Sequence, residues 1–112
     1  MLKIVADQRI PFVSEYFSEL GELVLLPGRN MTASDVADAD ILLVRSITRV
    51  NADLLKNSKV RFVGTVTAGI DHLDVEWLEK NNIAYASAPG FNAPPVANYV
   101  ISVLAALQRR QL

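Results

Sequence analysis

The sequence has no cysteine and only one histidine, His72. Without cysteine there is no disulfide framework, no thiol nucleophile and no thiolate ligand, and a lone histidine leaves the usual donor sets for zinc unfilled. Charge of one sign is also lacking: 11 Lys and Arg stand against 12 Asp and Glu, a net charge of −1, so no basic field invites nucleic acid. No apolar run is long enough to span a bilayer. The opening Met1-Leu2-Lys3-Ile4-Val5-Ala6-Asp7 turns charged too early for a signal peptide. The expectation is a soluble, cytoplasmic protein with no metal, no nucleic-acid partner and no membrane partner. Neither G-x-G-x-x-G nor a P-loop lysine motif occurs, so the chain carries no recognisable nucleotide or dinucleotide site of its own.

What the 112 residues do have is apolar material, 51% of the chain, enough for one core of ordinary domain size. It is distributed in short runs: Leu2–Ala6, Leu23–Leu26, Ile41–Val44, Phe62–Gly64 and Ile83–Ala86. Their continuity, in place of an apolar–polar alternation, suits strands buried on both faces of a parallel sheet. Between them lie segments with helical spacing. Pro11 suits a first helical position, and Val13, Phe17 and Leu20 form one stripe before Gly21 ends the helix. Thr32, Asn51 and Asp74 are candidate N-caps, the second for a helix carrying Leu54 and Leu55, the third for one carrying Trp77 and Leu78. The alternation predicts an α/β fold, a doubly wound, five-stranded parallel sheet of flavodoxin-like size over residues 1–93.

Residues 94–112 read differently. Pro94 and Pro95 fix a helix start, and from Val96 to Leu107 only Asn98 and Ser102, with Arg109 beyond, make a polar stripe. A helix apolar nearly all round is buried nearly all round. This long helix is expected to lie between two bodies, another domain or another copy of the chain; Ala105 and Ala106 as neutral surface positions would instead widen the polar face.

Four segments follow strands and so share one edge of a parallel sheet: Asp7-Gln8-Arg9, Arg45-Ser46-Ile47-Thr48-Arg49, Thr67-Ala68-Gly69 and Ala88-Pro89-Gly90-Phe91-Asn92. Ligands of open α/β sheets bind at that edge. Thr67-Ala68-Gly69 reads equally as a ligand turn, where small residues admit a close approach, and as a plain strand-to-helix turn. Arg45 and Arg49 carry planar forks suited to a carboxylate or a phosphate, Ser46 and Thr67 offer hydroxyls, and Asn92 an amide. Each arginine alone reads first as a solvated charge; convergence of the loops strengthens the case for Arg45 and Ser46. His72 reads as an exposed turn residue whose only available orienting partners are Asp71 and Asp74, themselves turn and cap residues.

Two rivals of the same size fail on these residues. A phosphoacceptor receiver domain needs an acidic pair after strand 1, an Asp after strand 3 and a Lys after strand 5, and only Asp7 fits. A flavodoxin-type cofactor needs a Ser-, Thr- or Gly-rich turn after strand 1, where Asp7-Gln8-Arg9-Ile10-Pro11 would repel a phosphate.

Val-Arg-Ser-Ile-Thr at 44–48, Gly-Thr-Val-Thr-Ala-Gly-Ile-Asp-His-Leu-Asp at 64–74, and Ala-Pro-Gly-Phe-Asn at 88–92 with Val-Ala at 96–97 resemble the D-2-hydroxyacid dehydrogenases, in register over the whole chain. That resemblance implies the outer, substrate-binding domain, with 94–112 as the helix leading to an absent Rossmann domain that binds NAD. The glycine-rich NAD loop and the catalytic Arg, Glu and His are expected beyond residue 112. No catalytic or cofactor-binding residue is then expected in this chain, and alone it is expected to be inactive. By position, Ser46 and Thr67 are implied to contact substrate, the backbone amides of Thr67-Ala68-Gly69 to hold its carboxylate, and Asn92 to line the cleft near substrate and nicotinamide; Arg45 or Arg49 would neutralise a substrate carboxylate or phosphate. One departure is Asn98, where the family commonly has Glu, which bears on interdomain contacts. The implied partner is a small phosphorylated 2-hydroxy acid and the implied full-length enzyme a homodimer. The alternatives are another member of the family, such as a phosphoglycerate dehydrogenase, or a stand-alone flavodoxin-like binding or interaction module.

Overall fold

The computed structural model describes residues 2–10, 14, 18, 21–66 and 69–87. The expected first helix, apart from Ser14 and Ser18, and the expected long helix over 94–112 lie outside the described residues.

Five parallel strands form one sheet in the order β2-β1-β3-β4-β5, comprising β1 (Lys3–Asp7), β2 (Glu22–Leu26), β3 (Ile41–Val44), β4 (Phe62–Thr65) and β5 (Ala84–Ser87). This is the flavodoxin-like order, and the direction of winding reverses between β1 and β3. The strand positions follow the apolar runs with no strand end displaced by more than one residue. In β1 the shift goes with the pairing: Lys3 lies opposite Glu22 and Asp7 opposite Leu26, so the strand extends to the carboxylate.

Continuous burial holds for β3 and β4, in which every residue is buried, and for β1 beyond Lys3. It does not hold at the two edges. β2 exposes Glu22 and Leu25, and β5 is only partly covered. The physical reason is position in the sheet, which a run of apolar letters does not reveal.

Alternate residues of the central strands feed two cores. Val5, Leu42, Val44 and Val63 point to one face, where they meet Val36, Leu54, Leu55 and Leu78 from the helices. Ile4, Ala6, Ile41, Leu43 and Phe62 point to the other, joined by Ile10. Each helix on the first face is short and starts where the sequence indicates. α1 (Ala33–Val36) begins after its N-cap Thr32 in a capping box, Oδ2 of Asp35 accepting from both the Thr32 backbone N–H (2.9 Å) and its hydroxyl (3.0 Å). α2 (Ala52–Leu55) is capped by Asn51, whose side chain accepts from the Leu54 N–H at 3.2 Å. α3 (Val75–Lys80) is capped by Asp74, which accepts from the Trp77 N–H at 3.2 Å.

The loops before α2 and α3 are stitched together. Val50 N–H donates to the His72 carbonyl and Asp74 N–H to the Val50 carbonyl, both at 2.8 Å, making an isolated parallel bridge of Val50 with Leu73. The segment that follows β4 is thereby anchored at its far end, beside the segment that follows β3.

Candidate functional site

The carboxyl edge of the sheet carries the chemistry. Asp7, the last residue of β1, has no exposed surface. Its Oδ1 accepts from the Arg9 backbone N–H at 2.9 Å, and its Oδ2 from Arg45 Nε at 2.8 Å. A carboxylate taken out of water requires such partners, and here both oxygens have one. Arg45 is the residue immediately after β3, so this ion pair spans the winding reversal between β1 and β3.

Gly28, in the short 3-10 turn Gly28–Asn30 after β2, packs against the same carboxylate. A Cβ there would run into Asp7 Oδ2 and crowd Ile47 Cδ1 at 3.1 Å. The Gly28 carbonyl accepts from the buried Thr48 hydroxyl at 3.0 Å. Segments after β1, β2 and β3 are thus locked to one another by polar contacts at a single place.

Among the described residues, the segment 45–47 borders two recesses at this edge. On the β2 side, a recess of about 290 Å³ is lined by Gln8, Arg9, Gly28, Arg29, Asn30 and Arg45, among others. On the β4 side, a second of about 300 Å³ is lined by Ser46, Arg49, Gly69, Asp71 and His72. Arg45 and Ser46, neighbours in sequence, therefore face different spaces. Arg45 is also not a free charge: its Nε is committed to Asp7, with the rest of the guanidinium at the recess. The expectation that Asp7 would repel a phosphate changes too, because that carboxylate is turned inward and consumed. The contribution of β2 to the edge was missed from sequence; the signal for it is the strand order, which sets β2 beside β1 and brings Arg29 and Asn30 to the same edge.

The β4-side recess is lined by Gly69, the last residue of the turn suspected of ligand binding. Of that turn only Gly69 is described; Thr67 and Ala68, like Asn92, lie outside the described residues. The backbone of Gly69 is not left-handed, and a Cβ there would meet nothing within 4 Å. What its lack of a side chain provides is open space beside Ser46. His72 departs from expectation. It is half-buried, and its Nε2 lies 2.8 Å from Oγ1 of the buried Thr65, a partner seven residues back on β4. Burial pushes the imidazole pKa below its ordinary 6.5, opposed in part by the Asp71 carboxylate. The sequence could not show this contact, because Thr65 and His72 meet only when the loop folds back on the strand. Among the described residues no three His, Asp or Glu side chains gather in a way that could hold a metal ion, and no helix is long and apolar enough to cross a membrane.

Residues 4–110 match the model of the D-isomer specific 2-hydroxyacid dehydrogenase catalytic domain. The chain belongs to this family. Over 103 residues, 92% of the chain, it is 60% identical to an erythronate-4-phosphate dehydrogenase of Cellvibrio japonicus, and over 106 residues, 95% of the chain, 58% identical to one of Saccharophagus degradans. The chain spans 27% and 28% of those two proteins. Among solved structures, an NAD⁺-bound 3-phosphoglycerate dehydrogenase of Entamoeba histolytica superposes with a TM-score of 0.69 at 25% identity, covering 80% of this chain and 33% of that one. In this member of the dehydrogenase family, β1 runs into Asp7-Gln8-Arg9, with the carboxylate buried on Arg45 and no glycine-rich turn. The turn after β1 therefore lacks the glycine-rich cradle of a dinucleotide pyrophosphate.

Proposed function

We propose that this chain is the substrate-binding part of an NAD-dependent dehydrogenase that oxidises 4-phospho-D-erythronate to 2-oxo-3-hydroxy-4-phosphobutanoate, a step of pyridoxal 5'-phosphate biosynthesis. The observation that carries the reading is identity of 50–60% to relatives bearing the name erythronate-4-phosphate dehydrogenase, over nine-tenths or more of this chain. The NAD seat and the groups that move hydride and proton are assigned to sequence outside this chain, and the working enzyme is taken to be a cytoplasmic homodimer.

In this reading the Ser46 hydroxyl and the backbone of Thr67-Ala68-Gly69 hold the acid end of the substrate in the β4-side recess, with Asn92 beside the nicotinamide. Holding the reacting carbon in one orientation turns an encounter into an intramolecular event and removes much of the entropic part of the barrier.

The test is NADH formation by the full-length enzyme offered 4-phospho-D-erythronate, 3-phospho-D-glycerate and D-lactate in parallel. The reading requires the highest kcat/KM for the four-carbon phosphorylated acid, and a Ser46→Ala variant with a raised KM for it. Preference for the three-carbon phosphate would assign the chain to a phosphoglycerate dehydrogenase instead; no turnover of any of the three would return it to a binding module.

A further inference from the structure

The β2-side recess is not needed to hold the acid end of a substrate, yet it is the more strongly charged of the two. Three arginines reach it: Arg9 from the segment after β1, Arg29 from the segment after β2, and Arg45 from the end of β3. No Asp or Glu is among the described residues that line it, and Asp7, whose carboxylate meets Arg45, is buried, with Oδ1 on the Arg9 backbone and Oδ2 on Arg45 Nε. Neither Arg9 nor Arg29 forms an ion pair among the described residues. The recess therefore presents unneutralised guanidinium groups to solvent, together with the amide side chains of Gln8 and Asn30. It also lies where the sheet reverses its winding, between β1 and β3, the place at which open α/β sheets take ligands. Gly28 shapes its inner wall, since no side chain fits between the 3-10 turn and the Asp7 carboxylate.

We propose that this recess seats a phosphate monoester dianion, namely the phosphate end of the substrate, with Arg29 and Arg9 as the residues that select a phosphorylated acid over a plain one. The proposal rests on the functional reading above. Its geometry comes from residues 45 and 46: one faces the arginine recess and the other the Ser46–Gly69 recess, so one ligand lying across this short segment can place its phosphate on one side and its carboxylate on the other. Guanidinium forks match phosphate oxygens in pairs, and a phosphate carries close to two negative charges at neutral pH. The Asp7 contact to Nε holds the Arg45 plane, a positioning role that leaves its terminal nitrogens for the ligand.

Two measurements, phosphate binding by this chain and steady-state kinetics of the full-length enzyme, test this and keep it separate from the enzyme reading. In an NMR titration with inorganic phosphate, the amides of Gln8, Arg29, Asn30 and Ile47 are expected to shift saturably, and an Arg9→Ala, Arg29→Ala double variant to lose the response while the exposed-site control Lys56→Ala retains it. In steady-state kinetics, Arg29→Ala is expected to raise KM for the phosphorylated acid by about tenfold, the worth of one charge-assisted contact, with KM for unphosphorylated D-erythronate unchanged. Absence of phosphate shifts at the recess, or equal KM increases for both acids, overturns the proposal. Saturable shifts in a protein that oxidises no 2-hydroxy acid would refute the enzyme reading and leave the phosphate seat standing; turnover of the phosphorylated acid with no shift at these amides would do the reverse.

Discussion

Asp7 and Arg45 meet at 2.8 Å between Oδ2 and Nε across the neighbouring strands β1 and β3, the Asp7 side chain fully buried and that of Arg45 29% exposed. The two ends of this contact are not equivalent. Arg45 can turn its charge to water if its partner is lost, whereas Asp7 cannot.

That asymmetry orders two substitutions. Arg45→Ala strands a buried carboxylate and is expected to destabilise the fold by about 3 kcal/mol, the lower end of the range for breaking a buried pair. Asp7→Asn keeps the shape and an acceptor for the Arg9 N–H while releasing Arg45 to solvent, for a loss of about 1–2 kcal/mol. Urea unfolding of the two variants gives the comparison directly; an Asp7→Asn loss larger than that of Arg45→Ala would mean that the buried charge is balanced by something other than Arg45.

The two edge glycines should respond oppositely to the same added methyl group. At Gly28 the Cβ runs into Asp7 Oδ2 and presses on Ile47, so Gly28→Ala must displace the carboxylate or the turn and is expected to lower stability by about 1–3 kcal/mol. At Gly69 nothing stands within 4 Å, so Gly69→Ala is expected to stay within about 0.5 kcal/mol of the parent. Its effect should appear in ligand affinity if the turn receives a ligand. Paired thermal melts decide the first point, and an equal fall in Tm for both would contradict it.

These contrasts also show where sequence was sufficient. The five strands were legible because each apolar run is short and bounded by turn residues, and Asn51 and Asp74 cap their helices as the letters suggest. The edge character of β2 and β5 was not legible, since exposure there depends on strand order and not on composition. Nor were the contacts that define the site. Asp7 with Arg45 and Thr65 with His72 join residues whose proximity is created by parallel pairing or by a loop folding back, and no local pattern encodes either. Arg45 and Ser46 were both expected at this edge because the strand-end loops converge there; the backbone after β3 turns them into different recesses.

The helix caps offer a local check on the stitched loops. Asp74 accepts from the Trp77 N–H, and its own N–H donates to the Val50 carbonyl, so the residue both starts α3 and fixes the end of the loop that follows β4. Asp74→Ala removes only the side-chain contact and is expected to lower stability by about 1 kcal/mol, as is Asn51→Ala at the start of α2. Because Val50 and Leu73 bridge the two segments, the double variant should depart from additivity. A double-mutant cycle measures this, and strict additivity would show that the bridge transmits no coupling between the caps.

His72 gives the fold a pH dependence of determinable sign. Its imidazole titrates below the ordinary 6.5 because burial beside β4 penalises the cation, with Asp71 opposing that shift. The unfolded chain therefore takes up the proton first as pH falls. Stability from this group is complete above about 6.5, where the ring is neutral in both states, and is lost progressively as acidification passes 6.5 toward the lower folded value. A neutral ring can either donate to or accept from the Thr65 hydroxyl, whereas the cation can only donate, so acidification also narrows the ways in which the 2.8 Å contact can be made. Removing the opposing carboxylate with Asp71→Asn should lower the titration midpoint further, and replacing His72 by Gln should flatten the stability profile between pH 5 and pH 7. Following the imidazole Cε1 proton by NMR gives the midpoint in each variant. A midpoint above 6.5 in the parent chain would show that His72 is governed by charge at the mouth of the recess and not by its burial against Thr65, and a midpoint that does not fall in Asp71→Asn would show that the Asp71 carboxylate does not oppose the shift.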